Sequence, residues 1–117
     1  MTILPGNKFL LMDYYKGLIE VDAEPGKLNV LDSSSSKLIY EQFGCWKMSA
    51  EDQGNYLALV CSLTRQSYFI MQLVMDHDGK YRPQQPIFFD EPLTGISLSS
   101  NIVMAHIFSG MKLFWKS

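Results

Sequence analysis

Apolar residues fall in short segments along the chain, and turn signals lie between them. Pairs such as Lys16-Gly17, Gly54-Asn55 and Asp78-Gly79 mark these turns, which recur about every ten residues. The segments between them are rich in β-branched and aromatic residues. This spacing predicts a mainly β fold, a small antiparallel sandwich or barrel of about seven to nine short strands with at most one or two helical turns.

Most segments favour one interpretation, and one is ambiguous. Leu38, Ile39, Tyr40 and Phe43 fit one face of a short helix nearly as well as they fit a strand, which we favour. Ser49–Asp52 has the pattern of a helix N-cap and predicts one helical turn ending at Gly54. The candidate strand segments are Lys8–Tyr15, Leu18–Ala23, Lys27–Leu31, Lys37–Phe43, Tyr56–Leu63, Ser67–Met75, Tyr81–Asp90, Ile96–Leu98, Ile102–Phe108 and Met111–Trp115.

The segments Tyr56–Leu63 and Ser67–Met75 are apolar on both faces, so we expect them to be central strands that form the core. Pro83 and Pro86 remove hydrogen-bond donors, and they place Tyr81–Asp90 at a sheet edge or make it irregular until Ile87-Phe88-Phe89. The first and last hairpins share a rough pattern that hints at a blade-like repeat. Two matches are too few to establish one, and a closed propeller needs a longer chain.

Length and composition predict one globular domain over residues 1–117. Hydrophobic residues make up 47% of the chain and charged residues 19%, which excludes wholesale disorder. The first residues lack the charged and apolar regions of a secretory signal, and no apolar run approaches the roughly 20 residues of a membrane-spanning helix. Cys45 and Cys61 are therefore expected to be free thiols. We accordingly predict a soluble cytoplasmic protein with no membrane partner.

The strongest functional lead is a run of alternating acidic residues. Glu20, Asp22 and Glu24 alternate with apolar residues, so a strand places the three carboxylates on one face. Such a face suits a basic partner protein, and the neighbouring Tyr14 and Tyr15 would supply hydrophobic anchors. The alternative is a solvated strand face balanced by lysines on neighbouring strands.

Candidate catalytic and ligand residues are few, and each has a structural alternative. Asp76 and Asp78 flank His77, a grouping that suits a cation loop or a general base, yet Asp78-Gly79 is also what a hairpin turn requires. His106 lies among apolar residues and is expected to be structural. Cys45 is the better of two weak nucleophile candidates. We assign no catalytic residue, no metal ligand and no cofactor, and whether His106, Cys45 or the Asp76–Asp78 turn joins a site on folding stays open.

Nucleic-acid binding is not favoured, because the net charge is −2. Phe114 and Trp115, interleaved with Lys112 and Lys116, offer a stacking platform for a single strand as an alternative. Core packing explains Trp115 equally well.

The favoured function is a non-enzymatic protein-binding module. Small inhibitors and toxin-neutralising, immunity-type proteins act by covering a partner surface, here a basic one, and need no internal chemistry. The alternatives are a small barrel that binds a ligand or single-stranded nucleic acid, and an enzyme whose site is assembled only by folding. A homodimer through an edge strand also remains open.

Overall fold

The computed structural model describes residues 2–4, 8–22, 36–64 and 67–116. Within these ranges the chain forms twelve strands and no helix. The prediction of a mainly β antiparallel fold is confirmed, with more strands than the seven to nine predicted. The strands are β1 Thr2–Leu4, β2 Lys8–Asp13, β3 Gly17–Asp22, β4 Ser36–Glu41, β5 Cys45–Ala50, β6 Tyr56–Thr64, β7 Ser67–Met75, β8 Tyr81–Pro83, β9 Ile87–Phe89, β10 Leu93–Leu98, β11 Ile102–Ile107 and β12 Gly110–Trp115.

The strands form three antiparallel sheets, each built from consecutive strands. The first sheet has the order β1-β2-β3-β4, the second β5-β6-β7-β8 with β9 also paired to β7, and the third β10-β11-β12. The predicted hairpin around Lys16-Gly17 joins β2 to β3. Gly17 has a φ of +125°, and a Cβ at this position would collide with the carbonyl oxygen of Tyr40. Glycine is therefore required where the turn meets β4.

The second sheet lies between the other two and contributes to both cores. Leu57 and Leu59 of β6 pack in a first core with the first sheet, and Ala58 and Val60 pack in a second core with the third sheet. Successive side chains of a strand point to opposite faces, so a strand with a core on each side must be apolar throughout. This position explains the apolar run in β6, and the prediction that β6 and β7 are central is confirmed.

The ambiguous segment Lys37–Phe43 is a strand over Ser36–Glu41, as favoured from the sequence. The segment Tyr81–Asp90 forms two short strands, β8 and β9, which both pair with β7. The break between the two strands includes Pro86, and β8 ends at Pro83. The predicted strand Lys27–Leu31 lies outside the described residues. The part of the chain that the structure describes holds no helix long and apolar enough to cross a membrane.

The prediction of a helical turn at Ser49–Asp52 is wrong. Ser49 lies in β5 and pairs with Ala58 of β6. The sequence pattern did not predict the strand β5. The backbone N–H of Gly54 donates to the carbonyl of Glu51 at 2.9 Å, closing a tight turn between β5 and β6. Cross-strand pairing therefore prevails over the local capping pattern.

The expectation of free cysteines is also wrong, because Cys45 and Cys61 are joined by a disulfide. The two residues face each other directly across β5 and β6, and both are fully buried. Their proximity follows from the pairing of β5, so it is not visible in the spacing of the cysteines along the chain. Neither sulfur is available as a nucleophile while the bond is intact.

Candidate functional site

Three aromatic side chains form an exposed cluster at one end of the first sheet. We call Tyr14, Tyr15 and Phe43 the aromatic cluster. The ring centroids of Tyr14 and Tyr15 lie 5.1 Å apart, and those of Tyr14 and Phe43 lie 5.3 Å apart, both edge to face. Tyr15 is 76% exposed and Phe43 is 50% exposed. The rings therefore contact each other while much of their surface faces solvent.

Local hydrogen bonds hold the two tyrosines at the β2–β3 turn. Asp13 closes β2, and its carboxylate accepts hydrogen bonds from the backbone N–H groups of Tyr15 at 2.8 Å and Lys16 at 3.0 Å. Aspartate commonly caps a turn in this way. The turn places Tyr14 and Tyr15 beyond the end of β2, where they are 39% and 76% exposed.

Phe43 and Gly44 lie in the connection between the first two sheets, and Gly44 positions Phe43 beside Tyr14 and Tyr15. Its N–H donates to the carbonyl of Tyr14 at 2.8 Å, and its own carbonyl accepts from the N–H of Ser62 at 2.8 Å. Gly44 has a φ of +90°, and a Cβ would lie 2.6 Å from the carbonyl oxygen of Ser62. Only glycine fits this bridge, which fixes Phe43 against the tyrosines.

A groove of about 560 Å³ begins at Tyr14 and runs beside the cluster. Its walls include Trp46, Leu63, Tyr68 and Pro92, and no charged side chain lines it among the residues described. Trp46 and Tyr68 meet edge to face, with centroids 6.4 Å apart. We call this the aromatic groove. Its volume lies within the usual range for binding pockets, and exposed aromatic surface of this kind is typical of interaction sites.

The predicted acidic residues are surrounded by positive charge where the structure describes them. The carboxylate of Glu20 lies 3.6 Å from Nζ of Lys8, and Lys37 is its cross-strand neighbour. Glu20 shares its sheet face with Leu18, which is fully buried in the first core. The side chain of Asp22 and all of Glu24 lie outside the described residues. The alternative of a strand face balanced by neighbouring lysines describes the surroundings of Glu20.

Glu20 borders a basic recess of about 420 Å³. Lys8, Lys37, Lys80 and Arg82 line this recess, so the described charges around Glu20 are mostly positive. It is separate from the aromatic cluster, because the two share no lining residue.

The Asp76–Asp78 segment is a turn between β7 and β8. The carboxylate of Asp76 accepts from the N–H groups of Asp78 at 2.9 Å and Lys80 at 3.0 Å, and it pairs with Nε of Arg82 at 2.6 Å. The Lys80 N–H, followed by the Arg82 side chain, lowers the pKa of Asp76. Both carboxylate oxygens have partners, so Asp76 shapes this turn. No group of three or more potential metal-ligating side chains occurs among the described residues.

His106 has a polar partner that the sequence did not suggest. Its Nε2 lies 2.9 Å from Oγ of Ser97, across β10 and β11. Both residues line a hollow of about 270 Å³ together with Lys47. A serine hydroxyl that is hydrogen-bonded to an imidazole has the two groups of a nucleophile with its general base. No carboxylate is hydrogen-bonded to His106 among the residues described.

The residues of the proposed stacking platform divide between the two sides of the third sheet. Trp115 is 73% exposed. Phe114 packs against the second core, where Nζ of Lys112 lies over the Phe89 ring and Nζ of Lys116 over the Tyr56 ring, 4.8 Å from its centroid. Both lysines thus have aromatic contacts on the side away from Trp115.

No protein-family model, no curated protein and no solved structure matches this chain. The site must therefore be judged from its own geometry. Sequence reasoning selected Tyr14 and Tyr15 as neighbours of the acidic run and missed Phe43 and Trp46. The pair Phe43-Gly44 was the available signal, since an aromatic residue beside a glycine after a strand is a candidate for an exposed turn.

Proposed function

We propose that this protein is a non-enzymatic binding module that contacts another protein through the aromatic cluster and the aromatic groove. The observation that carries the proposal is the packing of Tyr14, Tyr15 and Phe43 against one another in solvent. Aromatic residues held rigid at a surface lose little conformational entropy on binding, and they dominate the energetics of many interfaces.

The junction of the aromatic cluster with the aromatic groove also supports the proposal. The cluster passes into the groove at Tyr14, and beyond it Trp46 is 41% exposed and Leu63 is 58% exposed. Ser62 and Thr64 also line the groove, so this surface combines aromatic and aliphatic side chains with hydroxyl groups, a mixture that protein interfaces commonly contain. The groove lacks charged walls among the described residues, so we expect the partner to present an apolar segment there.

The electrostatic part of the proposal is a basic partner surface. Glu20 is paired with Lys8, so a basic partner would have to compete with that lysine. Any acidic contribution would therefore depend mainly on Asp22 and Glu24. An inhibitor or toxin-neutralising role needs only such a covering surface and is the particular role we propose. The cytoplasmic location stays a prediction, and the Cys45–Cys61 disulfide is a bond that is rare in reducing compartments.

The test compares capture of a partner by the unmodified chain and by Tyr15→Ala and Phe43→Ala variants. A partner recovered from the host with the unmodified chain is purified, and its affinity for each variant is measured by calorimetry. We expect each substitution to weaken binding by roughly thirtyfold, because truncating a central aromatic residue costs about 2 kcal/mol.

Phe108→Ala is the matched control. Phe108 is 86% exposed in the turn between β11 and β12, outside the cluster and the groove. An equal loss of affinity in the Phe108→Ala control would contradict the proposed contact surface. So would an unchanged affinity in Tyr15→Ala and Phe43→Ala. A binding constant that is insensitive to salt would contradict only the proposal that the partner surface is basic.

A hydrolase is the second candidate, and the 2.9 Å contact between Ser97 and His106 favours it. In this reaction Oγ of Ser97 would attack an ester carbonyl while Nε2 of His106 takes its proton. The C–O bond to the alcohol would break and the alcohol would leave with that proton, and water would then hydrolyse the acyl-serine to release the acid. The test is hydrolysis of an activated ester by the unmodified chain and by Ser97→Ala. Activity that is lost in Ser97→Ala would support the enzyme, and equal rates for both would exclude this pair.

A further inference from the structure

We propose that the basic recess binds a small organic phosphate, whose phosphate group contacts Lys37, Lys80 and Arg82 and whose apolar part lies against the edge of the first core. The proposal goes beyond the binding of a partner protein. It concerns a different part of the surface, because the recess and the aromatic groove share no lining residue. It rests on positive charges from two sheets that meet in one recess.

The first sheet supplies one wall of the recess, from the face that it turns toward the first core. Leu10 and Leu18 lie on this face and are fully buried. Glu20 pairs with Leu10 on one side and with Lys37 on the other, and Lys8 lies two residues before Leu10. Directly paired residues share a face of the sheet, and so do alternate residues of a strand. Polar side chains therefore continue the row of core leucines to the rim of the sheet.

The β7–β8 turn and β8 supply the opposite wall. The carboxylate of Asp76 accepts a hydrogen bond from the N–H of Lys80 at 3.0 Å and pairs with Nε of Arg82 at 2.6 Å. This contact uses Nε, so the terminal nitrogens of the guanidinium keep their donors for another acceptor. The Arg82 side chain is 60% exposed. An arginine that is already held by a carboxylate loses less conformational entropy when it binds an anion.

The lining of the recess carries more positive than negative charge. Four basic side chains line it, and Glu20, which lies 3.6 Å from Lys8, is the one acidic residue among its described lining. Lys37 and Lys80 form no ion pair with another described residue. Positive groups that converge from two sheets repel one another, and a bound anion removes this repulsion. A phosphate group suits the site because it carries about two negative charges at neutral pH and pairs well with arginine.

The recess is open to solvent, and its floor is apolar. All four of its basic residues are exposed. Tyr81 also lines the recess and belongs to the first core, and the lining residues Ile39 and Met75 pack against that core. The volume of about 420 Å³ lies within the range of small-molecule sites. We therefore expect the ligand to carry a short apolar group, such as one aromatic ring, next to its phosphate.

The experiment measures the binding of phenyl phosphate to the unmodified chain by calorimetry at low salt. We expect a dissociation constant of about 1 mM or below, which is ordinary for a ligand of this size. Inorganic phosphate, which lacks the ring, and phenol, which lacks the charge, should each bind at least about tenfold more weakly.

Variants test the charges from each wall separately. Lys37→Gln in the first sheet and Lys80→Gln in the β7–β8 turn should each weaken the binding of phenyl phosphate about tenfold, because each removes one charge from the phosphate contact. Both side chains are exposed, and circular dichroism checks that the variants fold. Lys16→Gln is the matched control, since Lys16 is exposed in the β2–β3 turn, outside the recess. It should leave the affinity unchanged.

Methionine methyl groups report where the ligand binds. Met75 lines the recess, whereas Met111 is 62% exposed in the third sheet and lies outside it. In a chain with carbon-13 in its methionine methyl groups, phenyl phosphate should shift the Met75 resonance and leave that of Met111 in place. The Met75→Leu variant assigns the first resonance, and Met111→Leu assigns the second.

Four results would overturn the proposal. The first is the absence of binding by phenyl phosphate at millimolar concentration, and the second is an equal affinity for inorganic phosphate or for phenol. The third is an equal loss of affinity in Lys16→Gln, which would show a general effect of net charge. The fourth is a shift of Met111 without a shift of Met75, which would place the ligand elsewhere. None of these results involves Tyr15 or Phe43, so this proposal and the proposed function fail separately.

Discussion

Cys45 and Cys61 lie directly opposite each other on β5 and β6 and are joined by a disulfide within the first core. The bond closes a loop with a sequence separation of 16, which contains the turn between the two strands. It fixes β5 to the centre of the fold. Because β5 touches both the first and the third sheet, the disulfide stabilises a strand that contacts both of the other sheets.

Reduction of this bond is expected to lower the free energy of unfolding by about 3 kcal/mol, the usual effect of opening a loop of this length. Urea unfolding with and without a thiol reductant measures the difference. The double variant Cys45→Ala, Cys61→Ala should be insensitive to reductant. Two reactive thiols in the denatured, unreduced chain would contradict the disulfide.

Tyr81→Phe is expected to destabilise the protein by about 1.5 kcal/mol, because it leaves a buried carbonyl without its donor. The hydroxyl of Tyr81 donates to the carbonyl oxygen of Gly54 at 2.6 Å, and both residues are buried. The bond ties β8 to the turn between β5 and β6. Thermal or urea unfolding measures the change.

Tyr15→Phe is the control for that substitution, since Tyr15 is 76% exposed and the same hydroxyl is removed at the surface. It should change the free energy of unfolding very little. An equal effect of the two substitutions would show that the Tyr81 hydrogen bond does not stabilise the fold.

Local chemistry explains the parts of the fold that the sequence predicts. The β2–β3 hairpin follows from a turn that contains Gly17, and β6 follows from an apolar run long enough to be a strand with a core on each side. Pro83 and Pro86 likewise marked the interrupted edge strands. In each case the deciding residues are neighbours in the chain, so pattern and propensity suffice.

Long-range pairing explains the parts that the sequence missed. The segment from Cys45 to Ala50 has a tryptophan and a lysine side by side and shows no clear period, so β5 becomes a strand only because β6 pairs with it. The disulfide depends on the same register. The candidate site also has a local and a long-range part. The β2–β3 turn presents Tyr14 and Tyr15, whereas the long-range hydrogen bonds of Gly44 place Phe43 beside them.

Stability is expected to fall as the pH rises above 10, because Tyr81 is harder to ionise in the folded protein. Burial, with smaller effects from the Glu20 and Glu51 carboxylates, raises the pKa of Tyr81 from 10.0 to about 12. The unfolded chain then releases this proton first, so the stability present below pH 10 is lost progressively as the pH approaches 12. Urea unfolding across this range measures the slope.

Tyr81→Phe should reduce that slope without abolishing it. Tyr56 also contributes, since burial raises its pKa and its hydroxyl donates to the side-chain oxygen of Gln72. Absorbance titration of the phenolates gives an independent measurement of the same ionisations. Identical slopes for the unmodified chain and Tyr81→Phe would contradict the assignment to Tyr81.

Acid should weaken the turn between β7 and β8 through Asp76. The Lys80 N–H and the Arg82 side chain lower the pKa of this carboxylate, so the folded protein binds a proton less readily than the unfolded chain does. The stability that Asp76 contributes is therefore present above the ordinary carboxyl pKa of 3.8 and is lost as the pH falls below it.

Asp76→Asn is expected to be less stable than the unmodified chain at neutral pH, because the ion pair of 2.6 Å with Arg82 is removed. The difference between the two proteins should shrink as the pH falls, since protonated Asp76 also lacks the charge. Asp78→Asn is the control in the same turn, because the Asp78 side chain is 64% exposed. A difference that stays constant down to low pH would mean that Asp76 acts through the shape of the turn and not through its charge.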